Sequence, residues 1–152
     1  MLAPILLVLL CGTIETGVIY LAQSNLQFAI DTASRQIRTG SVQSQSLSSS
    51  GFRNLVCNNF ASLLTCDGNL FIDVRSYSSF SSASYPPPLN QNGTINNNNM
   101  NSYQPGVGGN IVLVRAIYTW QVATPGLDWF LVNMANGQHM LSASAAFRNE
   151  PF

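Results

Sequence analysis

The chain has 152 residues, 46% of them hydrophobic and only 8% charged, and its six acidic and six basic residues cancel to a formal net charge of zero. Lysine is absent, and so balanced a chain offers neither a basic surface for nucleic acid nor a field that would gather an acidic substrate. The length allows one domain with a modest core, and scarce charge with abundant Ser, Asn and Gln suits an exported or assembling subunit better than a free cytosolic enzyme.

Residues 1–22 (MLAPILLVLLCGTIETGVIYLA) are almost continuously apolar and hold one ionisable residue, Glu15. A run of roughly 20 apolar positions matches the hydrocarbon core of a bilayer at the helical rise of 1.5 Å per residue. No basic region leads it and no small-x-small site follows it, so it reads as a retained transmembrane half-helix rather than a cleaved signal. Residues 23–40 continue the helix in amphipathic form. Leu26, Ile30, Ala33 and Ile37 mark one stripe, and Gly40 supplies a stop. A carboxylate at bilayer depth is costly unless paired, so Glu15 is the candidate intramembrane contact with a partner's amine or arginine. A protonated or snorkelling Glu15 is the plainer alternative.

Residues 41–50 (SVQSQSLSSS) read as a serine-rich linker, and residues 51–152 as the head domain. Phe52, Val56, Phe60, Leu63 and Leu64 predict a short amphipathic helix capped by Ser50 and ending before the Asp67-Gly68 turn. Cys57 and Cys66 would form a disulfide in an exported protein, the alternative being two buried thiols, whereas Cys11 lies in the apolar helix as a small packing residue. Arg35 and Arg38 are the positive charges nearest the apolar run. Taken alone they would place the head in the cytoplasm, against the disulfide.

Residues 69–77 (NLFIDVRSY) alternate as a strand with one buried face, Leu70, Ile72 and Val74. Residues 78–109 form a long loop rich in Ser, Asn, Gly and Pro, of the kind that is functional or mobile. Its Tyr77, Phe80, Tyr85 and Tyr103 either make a contact surface or pack the loop onto its own domain. Asn92-Gly93 reads as a turn more readily than as part of a glycosylation sequon. Residues 110–122 (NIVLVRAIYTWQV) are apolar on both faces and predict a central strand covered by the long helix. Trp129, Phe130, Leu131 and Val132 belong to a short helix or edge loop, and residues 139–149 close an antiparallel sheet.

Catalysis finds little support: His139 is the single histidine, and no Gly-x-Ser-x-Gly elbow accompanies it. Neither a metal site nor a cofactor is expected, since only His139 could join the two cysteines. At the C-terminus Arg148, Asn149 and Glu150 form a polar cluster. It is either a structural latch or a surface for docking a partner.

Three stretches now resemble one family. They are the N-terminal helix with Pro4, Glu15, Gly17, Ala33, Arg35 and Gly40; residues 108–122 (GGNIVLVRAIYTWQV); and the terminal FRNEPF, Phe147 to Phe152. Together they resemble the TadE-like family of pilin-related proteins of the Tad (Flp-type) tight-adherence pilus, and the Cys57/Cys66 pair fits it. The resemblance implies an α+β, type IV pilin-like fold, in which a long N-terminal helix and a short helix pack on an antiparallel sheet of three or more strands. It implies a non-enzymatic minor pilin or pseudopilin held in the bacterial inner membrane, with its head in the periplasm or carried into the extracellular pilus. The implied partners are the major Flp-type pilin, a TadF-like companion, the inner-membrane assembly platform, and prepilin peptidase acting on the full-length precursor. Prepilins carry a basic leader ending in Gly and an early Glu, and Met1 lies downstream of where both would fall. The alternative is a membrane-anchored periplasmic binding domain that never enters a filament.

Overall fold

The computed structural model describes residues 3–152. Helix α1 (Ala3–Arg38) runs unbroken for 36 residues, about 54 Å at the helical rise. Its buried stripe is Glu15, Ile19, Ala22, Leu26, Ala29, Ile30, Ala33 and Ile37, the spacing of one helix face. The expected amphipathic stripe is therefore present, but the head begins to cover it at Glu15, inside the apolar run. Residues Ala3 to Leu10 are exposed on every side. The helix stops where Gly40 turns left-handed at φ 79°, a conformation that costs glycine little.

The serine-rich segment is folded rather than a free linker. It forms one helical turn, α2 (Ser41–Ser44), whose Val42 is buried in the core. It then starts α3 (Ser49–Cys57). The cap is Ser48, two residues earlier than expected, and its hydroxyl accepts from the Gly51 N–H at 3.2 Å. α3 also ends earlier, at Cys57. Asn59 bonds back to the Leu55 carbonyl at 2.8 Å, and the Cys57–Cys66 bridge folds the following residues over the helix end. Phe60, Leu63 and Leu64 thus lie in turns, not on a helical stripe.

Strands β1 (Leu70–Tyr77), β2 (Ile111–Gln121) and β3 (Gln138–Arg148) form an antiparallel sheet in the order β1-β2-β3. As expected, β2 is central. Its Val112, Val114, Ala116 and Tyr118 join the α1 stripe, α3 and Leu141 and Ala143 of β3 in one hydrophobic core. The small side chains of β3 and α1 let the helix lie close on the sheet. The architecture is α+β and pilin-like, with one long apolar helix, short helices and a three-stranded sheet.

The opposite sheet face was expected to be open along β1, yet it is covered too. Asp73, Arg115 and Ile117 on that face are buried, and so is Met100 from the long loop. Ordering such a loop costs backbone entropy, which specific bonds must offset. Ser102 and Gln104 pair with Val74 in ladder fashion, at 2.8 Å each way, and close the free edge of β1. Leu89 and Ile95 bridge across a turn in which Gly93 (φ 74°) donates to the Asn90 carbonyl, so Asn92-Gly93 is a turn.

Candidate functional site

Two surfaces of α1 differ in kind. One carries the buried stripe; the other, on the far side of the helix, carries Leu7, Leu10, Ile14, Gly17, Leu21, Ser24 and Phe28, all exposed. The steps between them alternate three and four, the period of an apolar seam that packs against another helix. Among the described residues, none beyond the helix's own backbone lies within 4 Å of a side chain placed at Gly17, so that face has room for close approach.

Glu15 sits where the covered and the bare parts of α1 meet, and is only 8% exposed. Its carboxylate oxygens accept the backbone N–H groups of Ala123 at 2.5 Å and Thr124 at 2.9 Å, just past the end of β2. Thr13 and Thr16, its neighbours on the helix, bond to the carbonyls of Leu10 and Gly12. A charge-assisted bond to a buried donor is worth about 1.5–3 kcal/mol, so two of them fix the head against the helix at this level. A partner's amine or guanidinium approaching this carboxylate meets oxygens that already hold the Ala123 and Thr124 N–H groups.

Farther along α1 the side-chain amides of Gln23 and Gln27 lie on the open edge of β3. Gln23 bonds both the carbonyl (2.6 Å) and the N–H (3.1 Å) of Ser142, and Gln27 does the same at Ser144 (3.1 and 3.3 Å). Both glutamines fall outside the stripe of Leu26, Ile30, Ala33 and Ile37, and sequence reasoning missed this contact. Their spacing of one turn, set beside a strand that alternates Ser with apolar residues, was the available signal.

The C-terminal cluster closes on the other end of α1. The Glu150 N–H donates to the Arg38 carbonyl at 2.9 Å, and its carboxylate lies 3.4 Å from the Arg38 guanidinium. Asn149 is buried and donates to the carbonyls of Pro105 and Val107, while Arg148 donates to Gly109. The three residues are thus brought together as an intrachain latch, and Arg148 and Glu150 keep exposed surface beyond it.

Of the four aromatics expected at the loop, Tyr77 is the last residue of β1, and Phe80 projects freely, at 65% exposed. The Tyr77 hydroxyl donates to the Ser84 carbonyl, and Tyr103 packs on Phe52 with ring centroids 5.8 Å apart. Burial raises the Tyr103 hydroxyl above the ordinary phenol value, and this hydroxyl has no hydrogen-bond partner among the described residues. The Tyr85 hydroxyl donates to the Val114 carbonyl at 3.1 Å, with the Arg115 guanidinium 4.8 Å above its ring. Burial, with a smaller contribution from the Asp73 charge, pushes the Tyr85 hydroxyl up to about 12, against the opposing pull of Arg115. Beneath it Asp73 accepts from Arg75 at 2.9 Å and lies 3.4 Å from Arg115. Both guanidiniums then reach loop carbonyls, Arg75 to Asn99 and Arg115 to Pro86.

The remaining candidates are structural in placement. His139 Nδ1 lies 2.5 Å from the Leu131 carbonyl and ties the start of β3 to the short helix α4 (Asp128–Leu131). Asp67 accepts from the Thr65 hydroxyl at 2.6 Å and the Asn69 N–H at 2.9 Å. These bonds, that of Thr65 first, hold its carboxyl below the usual range in the expected turn.

Among known proteins, the family model described as TadE-like protein matches residues 1–35. That is the first of the three resembling stretches; residues 108–122 and 147–152 fall outside the match. No curated protein and no solved structure matches the chain. The helix that carries Glu15, both glutamine clips and the bare apolar face is thus the part in which this chain is similar to the TadE-like family, whose membership implies association with a Tad pilus system.

Proposed function

We propose that this chain is a non-enzymatic minor pilin or pseudopilin that initiates, caps or supports assembly of a Tad-type pilus for surface adhesion. The observation that carries this reading is the exposed seam of α1, Leu7, Leu10, Ile14, Gly17, Leu21 and Phe28, on the side away from the head. In a membrane that seam is solvated by lipid, and in an assembly it packs against the helices of other subunits. The family match over the same helix supports the assignment. The inner membrane holds the subunit through α1 before assembly. Its disulfide-bridged head lies on the periplasmic side, where cysteines oxidise. Major pilin, a TadF-like companion and the assembly platform are the partners, and the exposed parts of Arg148 and Glu150 are the docking surface of the head.

The test is made on filaments sheared from cells, probed for this protein and sequenced from its N-terminus. Recovery in filaments with a processed N-terminus supports a minor pilin, and a processed form confined to membranes supports an assembly pseudopilin. An unprocessed protein found only in membranes overturns both and leaves an anchored binding domain.

A further inference from the structure

The segment between β2 and β3 holds the most exposed large apolar side chains of the described head. Trp129 is 82% exposed and Phe130 is 74% exposed, side by side on α4 with ring centroids 5.5 Å apart. They do not project at random. Leu127, just before them, lies against Gly12 so closely that a methyl group there would meet its side chain at 2.8 Å. Leu127, Phe130 and Leu131 face Val8, Leu9 and Gly12 across an open crevice of about 350 Å³. The α4 turn therefore stands at the level of Val8 to Gly12, beside the part of α1 that carries no other cover.

That level is below the end of the apolar surface. Ile14, Tyr20 and Leu21 continue the bare face of α1 toward the head, and Tyr20 lies eight residues, about 12 Å, beyond Gly12. Lipid contact along α1 up to the tyrosine submerges α4. In water, the same arrangement would leave Trp129, Phe130 and the bare leucines of α1 as one contiguous apolar patch. Tyrosine rings favour the boundary between headgroups and acyl chains, which is the level of Tyr20, and the residues from Val122 to Gly137 include a single ionisable one, Asp128.

We infer that the Leu127–Leu131 turn is a lipid-inserting wedge, with Trp129 and Phe130 seated among the acyl chains of the leaflet from which the head emerges, below the level of Tyr20. With Glu15 fastening the adjacent Ala123–Thr124 backbone to α1, the wedge fixes both the depth of the head and its rotation about the helix. This requires only that α1 enters a bilayer, so a failure to find the protein in filaments leaves it intact.

The experiment uses the full chain in phosphatidylethanolamine–phosphatidylglycerol vesicles. The fluorescence of Trp129→Phe is subtracted from that of the wild type, which isolates Trp129 without disturbing Trp120. With lipids brominated along their acyl chains, the difference emission falls roughly two-fold, while aqueous iodide leaves it unchanged. Quenching by iodide but not by the bromolipid overturns the wedge. Protection from both quenchers that disappears on dilution with excess lipid also overturns it, because a second subunit then covers the turn.

Discussion

Gln23 and Ser142 are hydrogen-bonded in both directions, the glutamine amide standing in for a strand residue on the edge of β3. An open edge carries unpaired N–H and C=O groups that recruit other strands, and covering it with a helix is one of the protective arrangements available. Here the cover is specific to two side chains. Gln23→Leu should expose the Ser142 amide to hydrogen exchange and lower stability by about 1 kcal/mol, and adding Gln27→Leu should extend the loss to Ser144. Unchanged exchange at both amides in the double variant would show that the helix body, and not the glutamines, seals the edge.

Asp73 is fully buried between two arginines, each of which also holds a loop carbonyl. Removing the shared carboxylate leaves a buried guanidinium uncompensated, at a cost of about 3–5 kcal/mol. Asp73→Ala should therefore free residues 78–109 for limited proteolysis while β2 and β3 stay protected. Equal loss of protection throughout the head would mean that the loop and sheet unfold as one unit.

Alkaline pH acts on the same cover through Tyr85. Its hydroxyl is raised from an ordinary value of 10 to about 12, chiefly by burial. Above pH 10 the unfolded chain gives up this proton while the folded chain keeps it, so stability is complete below pH 10 and declines as pH rises toward 12. Phenolate absorbance should show tyrosines titrating late, Tyr103 among them, and Tyr85→Phe should lower the late amplitude by one tyrosine.

Gly40 meets the C-terminal ring directly: a methyl group built there would lie 2.5 Å from Phe152 and would sit at φ 79°. Gly40→Ala should destabilise the latch by about 1–2 kcal/mol from the backbone conformation alone, with the ring clash added. Thermal unfolding of Gly40→Ala/Phe152→Ala should recover the clash and retain the backbone cost. A double variant no better than the single one would place the whole effect in the backbone.

How much of this could be read beforehand follows a physical division. The periodicity of Leu26, Ile30, Ala33 and Ile37 and the two-faced apolar run of β2 reported burial, and burial is what hydrophobic patterns encode. Cys57 and Cys66 were legible as a pair for the same reason of composition and spacing. The cover over Asp73 and the donors to Glu15 were not. They depend on polar contacts between residues 24 to 109 positions apart, such as Arg75 to Asn99 and Thr124 to Glu15. No local window contains both partners. Trp129 and Phe130 were seen as apolar residues, but their exposure appears only once α4 is placed beside Gly12.

The fastenings at Glu15, Gln23, Gln27 and Arg38 are spread along the length of one uninterrupted helix. Axial tension on the bare end of α1 meets them in parallel, since a stiff rod shares its displacement among all points of attachment. Sliding the helix along the head would load every one of them together. The head is therefore geared to the helix as a rack is to a pinion locked at several teeth, and traction applied within the membrane moves the whole subunit without peeling it apart.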